Sequence, residues 1–436
     1  MRRLSSFFVT IMQRYLPDPW VLAIVLSLIV FVAGLFMTGS SPLQMVTFWG
    51  DGFFGLLEFS MQMVLILVTG YALASTALVK GALEAVAKRA GNARNAIVIT
   101  TVFAVIACWL NWGFGLIVGA LLAKEMARQV KNVDYRLLIA SAYSGFLVWH
   151  GGLSGSIPLV IATEGHFLAD QMGVIPTSQT IFTAYNLIIV LALLAVLPFV
   201  NRLMLPAEGE RVVVDAATLE EDAANADDLR GTPAERLETT PWLSLIIGIG
   251  GLAYLIGYFA GGGGLELNIV IFTFFILGIL LHRTPRNYIN SFVEAVKGSS
   301  GIILQFPFYA GILGMMSESG LVDLIAGGFV AVSTAQTLPF WSFLSGGLIN
   351  FFTPSGGGQW AVQGPIMIQV SEQLGADLAK VSMGVAWGDA WSNMVQPFWL
   401  LPALGIAGLE ARDVMGFCVM ALLVSGVIIT LGLLLF

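Results

Sequence analysis

The sequence predicts an all-α polytopic membrane protein made of two inverted repeats, each with a re-entrant hairpin and a broken transmembrane helix, in all about nine full spans plus two hairpins. Three observations predict it. Of 436 residues, 57% are hydrophobic and 11% charged, and apolar stretches long enough to span a bilayer recur along the chain. Polar, glycine-rich interruptions of those stretches come in matched pairs: Asn111 in WLNWGFG and Asn350 in LINFFTPSGGG are 239 residues apart, as are Ser154 and Asn393, and Pro158 and Pro397. The basic residues also fall almost wholly on one side of any threading drawn through these stretches.

Apolar stretches bounded by Pro, Gly and charge place spans near Trp20 to Met37, Phe59 to Leu78, Tyr135 to Thr163, Ile181 to Asn201, Pro241 to Ala260, Asn268 to His282, Gly301 to Glu318, Leu378 to Leu404 and Val414 to Phe436. The opening MRRLSSFF has the look of a signal n-region, but no small-residue cleavage site follows it, so the first span is expected to be retained. With a cytoplasmic N-terminus, Lys80, Lys88, Arg89 and Arg94 lie inside, and so do Lys124, Arg128, Lys131 and Arg136 beyond Asn95 to Ala123. That segment must then enter and leave on one face, as a re-entrant hairpin (95–127) with Asn111 near its tip, followed by the broken helix 135–163. Carried to the end, this threading leaves only Lys380 of twenty Lys and Arg outside.

The first repeat thus occupies 1–205. Residues 206–240 form an acidic cytoplasmic linker with ten Asp and Glu against Arg211, Arg230 and Arg236, a balance that equals the net charge of −7 of the whole chain. Residues 241–436 supply an extra helix, Pro241 to Ala260, and the second repeat, with hairpin 338–370 and broken helix 378–404. The extra crossing makes the count odd, so the second copy starts from the opposite face. Val79 to Arg94 and Leu321 to Thr334 are too short to cross and are expected to lie along the membrane faces. Cys108 and Cys418 both sit in apolar runs and are expected to be buried and unpaired.

A Gly, Asn or Ser break inside apolar sequence frees backbone N–H and C=O groups that lipid cannot satisfy, so the breaks must be buried or line a watery cavity. Paired breaks in two halves point to a transporter's binding site. Helix N-termini there favour an anion and carbonyl-rich ends a cation. The candidate substrate-binding residues are Asn111, Gly113, Ser154, Ser156, Asn350, Thr353, Ser355, Gly356, Ser392 and Asn393, with Gln396 beside them. Their side chains are neutral hydrogen-bonders and no Lys or Arg occupies a span centre, which suits a small monocarboxylate better than a dicarboxylate or phosphate. Trp109, Trp112, Phe114, Phe351, Phe352, Trp360 and Trp391 could wall in its tail, or could simply pack helices.

Two ionisable groups share the 239-residue offset, His150 and Asp389. An intramembrane ionisable group is costly to keep, which makes both ion-coupling candidates. Asp389 directly precedes the break Ala390 to Asn393. The alternatives are a capping acid and a hydrogen-bonded interior histidine. Enzyme chemistry finds no support: HExxH, GxSxG and GxxxxGK[ST] are absent, and no cofactor and no nucleic-acid partner is expected. Without an ATP site, transport would draw on an ion gradient or on the substrate's own. A passive small-anion channel is the alternative.

The motifs YLPDPW, WGDGFFGLLEFSMQM, NWGFGLIVGA, QFPFYAGI, NFFTPSGGGQW, QPFWLLPALGIAGL and RDVMGFC, in that order, resemble the short-chain fatty acid transporter family of the AtoE type over essentially the whole chain. The resemblance implies uptake of short-chain fatty acids such as butyrate or acetoacetate across a bacterial inner membrane. More distantly, the paired hairpins resemble the ion transporter superfamily, which implies a homodimer with a scaffold and a mobile elevator domain. By that likeness Asn111, Ser154, Asn350 and Asn393 are candidate Na⁺ ligands. Relatives with Ser-Asn motifs at these places use Na⁺, whereas the first half here carries Leu-Asn at the tip and no Asn at its break. The reading is a symporter for short-chain monocarboxylates, with H⁺ and Na⁺ both open as the coupling ion.

Overall fold

The computed structural model describes residues 17, 19–214, 231–396 and 398–436. The basic leader, the core of the acidic linker and Pro397 lie outside the described residues. Within them every regular element is a helix. The order is α1 Pro19–Ala33 (continued by a π-turn, Gly34–Thr38), α2 Pro42–Gly52, α3 Leu57–Ala74, α4 Ala77–Ala87, α5 Ala93–Leu110, α6 Trp112–Gln129, α7 Tyr135–Ser144, α8 Ser156–Ala162 and α9 Ala184–Leu203. After α10 Pro241–Ala260 the same order recurs: α11 Leu267–His282, α12 Pro285–Val296, α13 Ser300–Ser319, α14 Leu321–Val332, α15 Leu338–Ile349, α16 Gly356–Leu374, α17 Leu378–Ser392, α18 Leu401–Ala407 and α19 Ala411–Leu435.

Local chemistry sets many boundaries. Ser41 starts α2 with a reciprocal capping box to Gln44, and Thr76, Asn92 and Thr284 cap α4, α5 and α12. The two broken helices share a device, because Asp134 caps α7 and Asp377 caps α17. Asp134 is fully buried; it also accepts the Val212 N–H at 2.9 Å and binds Arg136 at 2.7 Å, which straps the start of the linker to α7. Each helix after a break ends or starts where glycine allows it, as at Gly408, whose φ of 65° closes α18.

Among the described residues, eight helices are long and apolar enough to cross a membrane. They differ from the expected spans in two places. Residues 268–282 lie in α11, which is only 16 residues long, and α5, expected as a hairpin arm, is itself 18 residues long. Residues 378–404, expected as a broken helix, comprise α17 and the start of α18. The second break also starts later than Ala390: α17 runs through Ser392, with the Asn393 N–H still bonded to the Asp389 carbonyl at 3.3 Å. Asp389 therefore sits in the last helical turn. Cys108 and Cys418 are buried and free, as expected.

The helices sort into two layers. Helix α3 packs on α11, α12 and α6, and α13 packs on α1, α2 and α16. Helices α5 to α9 and α15 to α19 pack mainly among themselves, with α15 lying along α17 and α5 along α6, α7 and the 3₁₀ turn Gly145–Gly151. Close backbone approach makes the last two contacts possible. A Cβ on Gly145 would lie 2.5 Å from the Ala104 backbone, and one on Gly384 would lie 2.4 Å from the Pro339 carbonyl oxygen. These glycines are 239 residues apart, although the backbone each one meets, at Ala104 and at Pro339, is not at that offset.

Candidate functional site

The two breaks meet in the middle of the second layer. Asn111 is the C-cap of α5 and the N-cap of α6, and its Oδ1 accepts the Phe114 N–H at 2.9 Å. The Trp112 N–H donates to Ser154 Oγ at 2.8 Å, and the Leu153 N–H to the Trp109 carbonyl at 2.7 Å. The tip between α5 and α6 is thus fastened to the first break. Gly113 brings it against α3, since a Cβ there would lie 3.0 Å from the Ile66 carbonyl oxygen.

The second break is built differently. Asn350 Nδ2 donates to the Asp389 carbonyl at 3.1 Å, to Ser392 Oγ at 2.9 Å and to Asn393 Oδ1 at 2.8 Å. The Asp389 carbonyl can only accept, so the amide nitrogen of Asn350 faces it, with its two hydrogens shared among the three oxygens. Asn393 Nδ2 in turn donates to Asp389 Oδ1 at 3.1 Å. All four residues are buried.

The clusters touch at three points. His150 Nε2 stands 3.7 Å from Asp389 Oδ1. The Tyr143 hydroxyl donates to the Asn393 carbonyl at 2.8 Å. Gly356, the first residue of α16, abuts the histidine: a Cβ there would fall 2.5 Å from His150 Nε2. The N-terminus of the 19-residue α16 is therefore aimed into the junction, with no side-chain cap from Ser355.

Among the described residues, unpartnered buried polar atoms gather at both breaks. Around the first are the donors Asn111 Nδ2, Trp112 Nε1 and Trp149 Nε1 and both ring nitrogens of His150. In the second half are four oxygens, Asn350 Oδ1, Gln359 Oε1, Asp389 Oδ2 and Gln396 Oε1, and the indole donors of Trp360 and Trp399. Unpaired buried polar atoms are costly and mark places where a ligand or water completes the structure. Donors suit a carboxylate; oxygens suit a proton or a hard cation. Among the described residues no group of three or more His, Cys, Asp or Glu could hold a metal ion, so a cation here would rely on amide and carbonyl oxygens as well as Asp389.

Openings approach this junction from two levels of α3. One, of about 150 Å³, is lined by Glu58, Phe59 and His166, and Phe59 lies directly against Gly357. The other, of about 710 Å³, is lined by Leu67 and Tyr71, and by Gln305 and Trp399. At about 1.5 Å rise per residue, the two lie roughly 12 to 18 Å apart along the helix.

The family model for the short chain fatty acid transporter matches residues 1–436. The chain belongs to that family. This transporter is 48% identical over 437 residues to an Escherichia coli (strain K12) protein provisionally named a short-chain fatty acid transporter, a match covering 100% of this chain and 99% of the relative. A Haemophilus influenzae (strain ATCC 51907 / DSM 11121 / KW20 / Rd) protein with the same provisional name is 44% identical over 441 residues, covering 99% of each. The crystal structure of the Alcanivorax borkumensis YdaH transporter shares the fold, with a TM-score of 0.59 at 16% identity, over 95% of this chain and 98% of that one. The transporter is accordingly a multi-pass membrane protein of that family.

Of the residues singled out from the transporter's sequence, Asn111, Gly113, Ser154, Asn350, Gly356, Ser392, Asn393, His150 and Asp389 come together at the junction. Ser156 is buried at the start of α8, Ser355 precedes α16, and Thr353 turns its hydroxyl back to the Ile349 carbonyl at 3.2 Å. The aromatic walls separate. Trp112 joins Trp149 and Trp399 in a cluster with centroids 5.0 to 6.5 Å apart. Trp391 instead donates to the Leu422 carbonyl at 2.7 Å and packs on α19. Tyr143 and Asn186 were missed. Asn186 Nδ2 donates to the Gly151 carbonyl at 3.0 Å while its Oδ1 accepts the Trp387 indole at 3.1 Å, tying the first break to α17. Their only signal is polarity inside apolar runs.

Proposed function

We propose that this protein is a secondary active transporter that takes up short-chain fatty acids such as butyrate or acetoacetate together with a coupling cation. The observation that carries the reading is that unpartnered donors at the first break stand beside unpartnered oxygens around Asp389. The carboxylate goes to the donors at the first break and the N-terminus of α16, and the cation, H⁺ or Na⁺, goes to Asp389 and the free oxygens beside it. Family membership supports the substrate class, since the relatives carry that name. Binding the two ions side by side offsets their charges, so neither needs a Lys or Arg inside the membrane.

Alternating access fits the two openings. The wider one carries Lys297 at its mouth and, by the distribution of basic residues, faces the cytoplasm. Phe59 closes the narrower path with Phe167 and Phe306, at centroid distances of 5.4 and 5.7 Å. In this reading the two hairpins enter from opposite faces of a bacterial inner membrane, the N-terminus is cytoplasmic, and the layer holding both breaks moves as an elevator against the layer of α1 to α3 and α11 to α13. The latter layer forms the homodimer.

The test is uptake by purified protein in liposomes with pH and Na⁺ gradients imposed separately. Accumulation of labelled butyrate under one of the two gradients is the expected result. Equilibration without accumulation under either would make the protein a passive conduit.

A further inference from the structure

The floor of the 710 Å³ vestibule has its own chemistry. Trp399, just beyond the second break, lines it and stacks edge-on against Trp112 with centroids 5.0 Å apart. Its indole N–H is buried and has no acceptor among the described residues. Gln305 of α13 lines the same floor and is 3% exposed. Its Oε1 accepts the Tyr309 hydroxyl at 3.0 Å, and its Nε2 donates to nothing among the described residues. That amide sits over Gly301, where a Cβ would lie 3.4 Å from Nε2 and 3.1 Å from the Phe398 ring.

So two free donors stand beside an apolar wall of Phe398 and Leu304, with Lys297 and Glu294 paired at the mouth. The space is ample, for pockets of this volume hold drug-sized ligands. The floor adjoins the junction without being part of it. Tyr309, which orients Gln305, lies against Gly358 in the first turn of α16, and Trp399 reaches the first break through Trp112, Phe146 and Trp149.

We infer that this floor is a second carboxylate subsite, in which Trp399 Nε1 and Gln305 Nε2 donate to the carboxylate and the acyl chain lies along Phe398 and Leu304. The inference rests on the reading of the substrate as a monocarboxylate. It gives the substrate a station between the junction and the cytoplasm.

The experiment uses the full chain with Cys108→Ala, Cys418→Ala and Ser300→Cys, because Ser300 is exposed and lines the vestibule. The rate at which a maleimide modifies that cysteine is followed with butyrate or butan-1-ol present. Butyrate should slow modification several-fold, and butan-1-ol at the same concentration should not. Trp399→Phe keeps the ring and removes the donor, and Gln305→Leu removes the amide. Each should raise the half-protecting butyrate concentration roughly tenfold, the worth of a hydrogen bond to a charged group. Asn350→Ala, aimed at the junction, should lose uptake and keep protection. Absence of protection, equal protection by the alcohol, protection unchanged in both floor variants, or its loss in Asn350→Ala would overturn the subsite. Full uptake by Asn350→Ala would instead overturn the junction reading and leave the floor to be judged by protection alone.

Discussion

His150 Nε2 stands 3.7 Å from Asp389 Oδ1, with both side chains fully buried. The two residues are 239 apart in sequence, the offset that also relates the two breaks, and they face each other across the junction. Among the described residues neither imidazole nitrogen finds a hydrogen-bond partner, and neither does Asp389 Oδ2. A charge buried this way needs compensation from a proton, a cation or a charged partner. The pair can therefore change its charge only by exchanging an ion with whatever enters the junction.

The first prediction follows for Asp389→Asn. The amide fills the same space without charge, so the variant should still exchange labelled for unlabelled butyrate in liposomes. Accumulation driven by the coupling ion should vanish. Loss of response to pH alone identifies a proton carrier, and loss of Na⁺ stimulation alone identifies a Na⁺ ligand. Coupling like that of the wild type would reduce Asp389 to a structural acid.

Asn350→Ala should affect both binding and folding. Its Nδ2 serves three buried acceptors, and leaving a buried polar group unpaired costs about 1 to 3 kcal/mol. The melting temperature should fall. Apparent butyrate affinity, measured below that temperature, should drop about tenfold or more. Asn111→Ala removes one capping bond and should cost less stability, about 1 kcal/mol. Equal melting temperatures for the two variants would contradict the asymmetry between the breaks.

Much of this was legible because breaks in apolar sequence stand out and the 239-residue offset links them. The places of the tips, the buried cysteines and the short helices α4 and α14 all follow from composition and length. The offset also relates His150 to Asp389, but their contact depends on how two halves pack, which no periodicity within either half records. Trp149 and Trp399 were hidden for a different reason. An indole in a membrane helix usually packs against lipid or a neighbouring helix, and only the missing acceptor for its N–H sets these apart. The second break was placed at Ala390 because small and polar residues begin there. The helix persists to Ser392 since Asn393 still donates to the Asp389 carbonyl.

Side-specific labelling tests the orientation of the hairpins. Lys131 follows α6 and Gln373 lies in the last turn of α16, and both are exposed. In a Cys108→Ala, Cys418→Ala background, Lys131→Cys should react with an impermeant thiol reagent from the cytoplasmic side and Gln373→Cys from the opposite side. Reaction of both from one side would rule out inverted repeats.

The last prediction concerns the close backbone approach at Gly145 and at Gly384. Gly145 and Gly384 let the broken helices lie against α5 and α15, and a methyl group at either would fall 2.5 Å or 2.4 Å from backbone atoms that no rotamer change can move. Overpacking of this kind typically costs about 1 to 3 kcal/mol. Gly145→Ala and Gly384→Ala should each lower the melting temperature of the purified protein. Gly81→Ala, on α4 where a Cβ meets nothing within 4 Å, should leave it unchanged or raise it slightly, because alanine favours a helix by roughly 1 kcal/mol over glycine. Transport should follow the same order. The breaks are held in register by these contacts, so a helix displaced at Gly145 shifts the His150 side of the pair and one displaced at Gly384 shifts the Asp389 side. If either alanine variant melts like the wild type, the close approach is not needed, and the equivalence of the two glycines would reduce to a feature of the repeat without energetic weight.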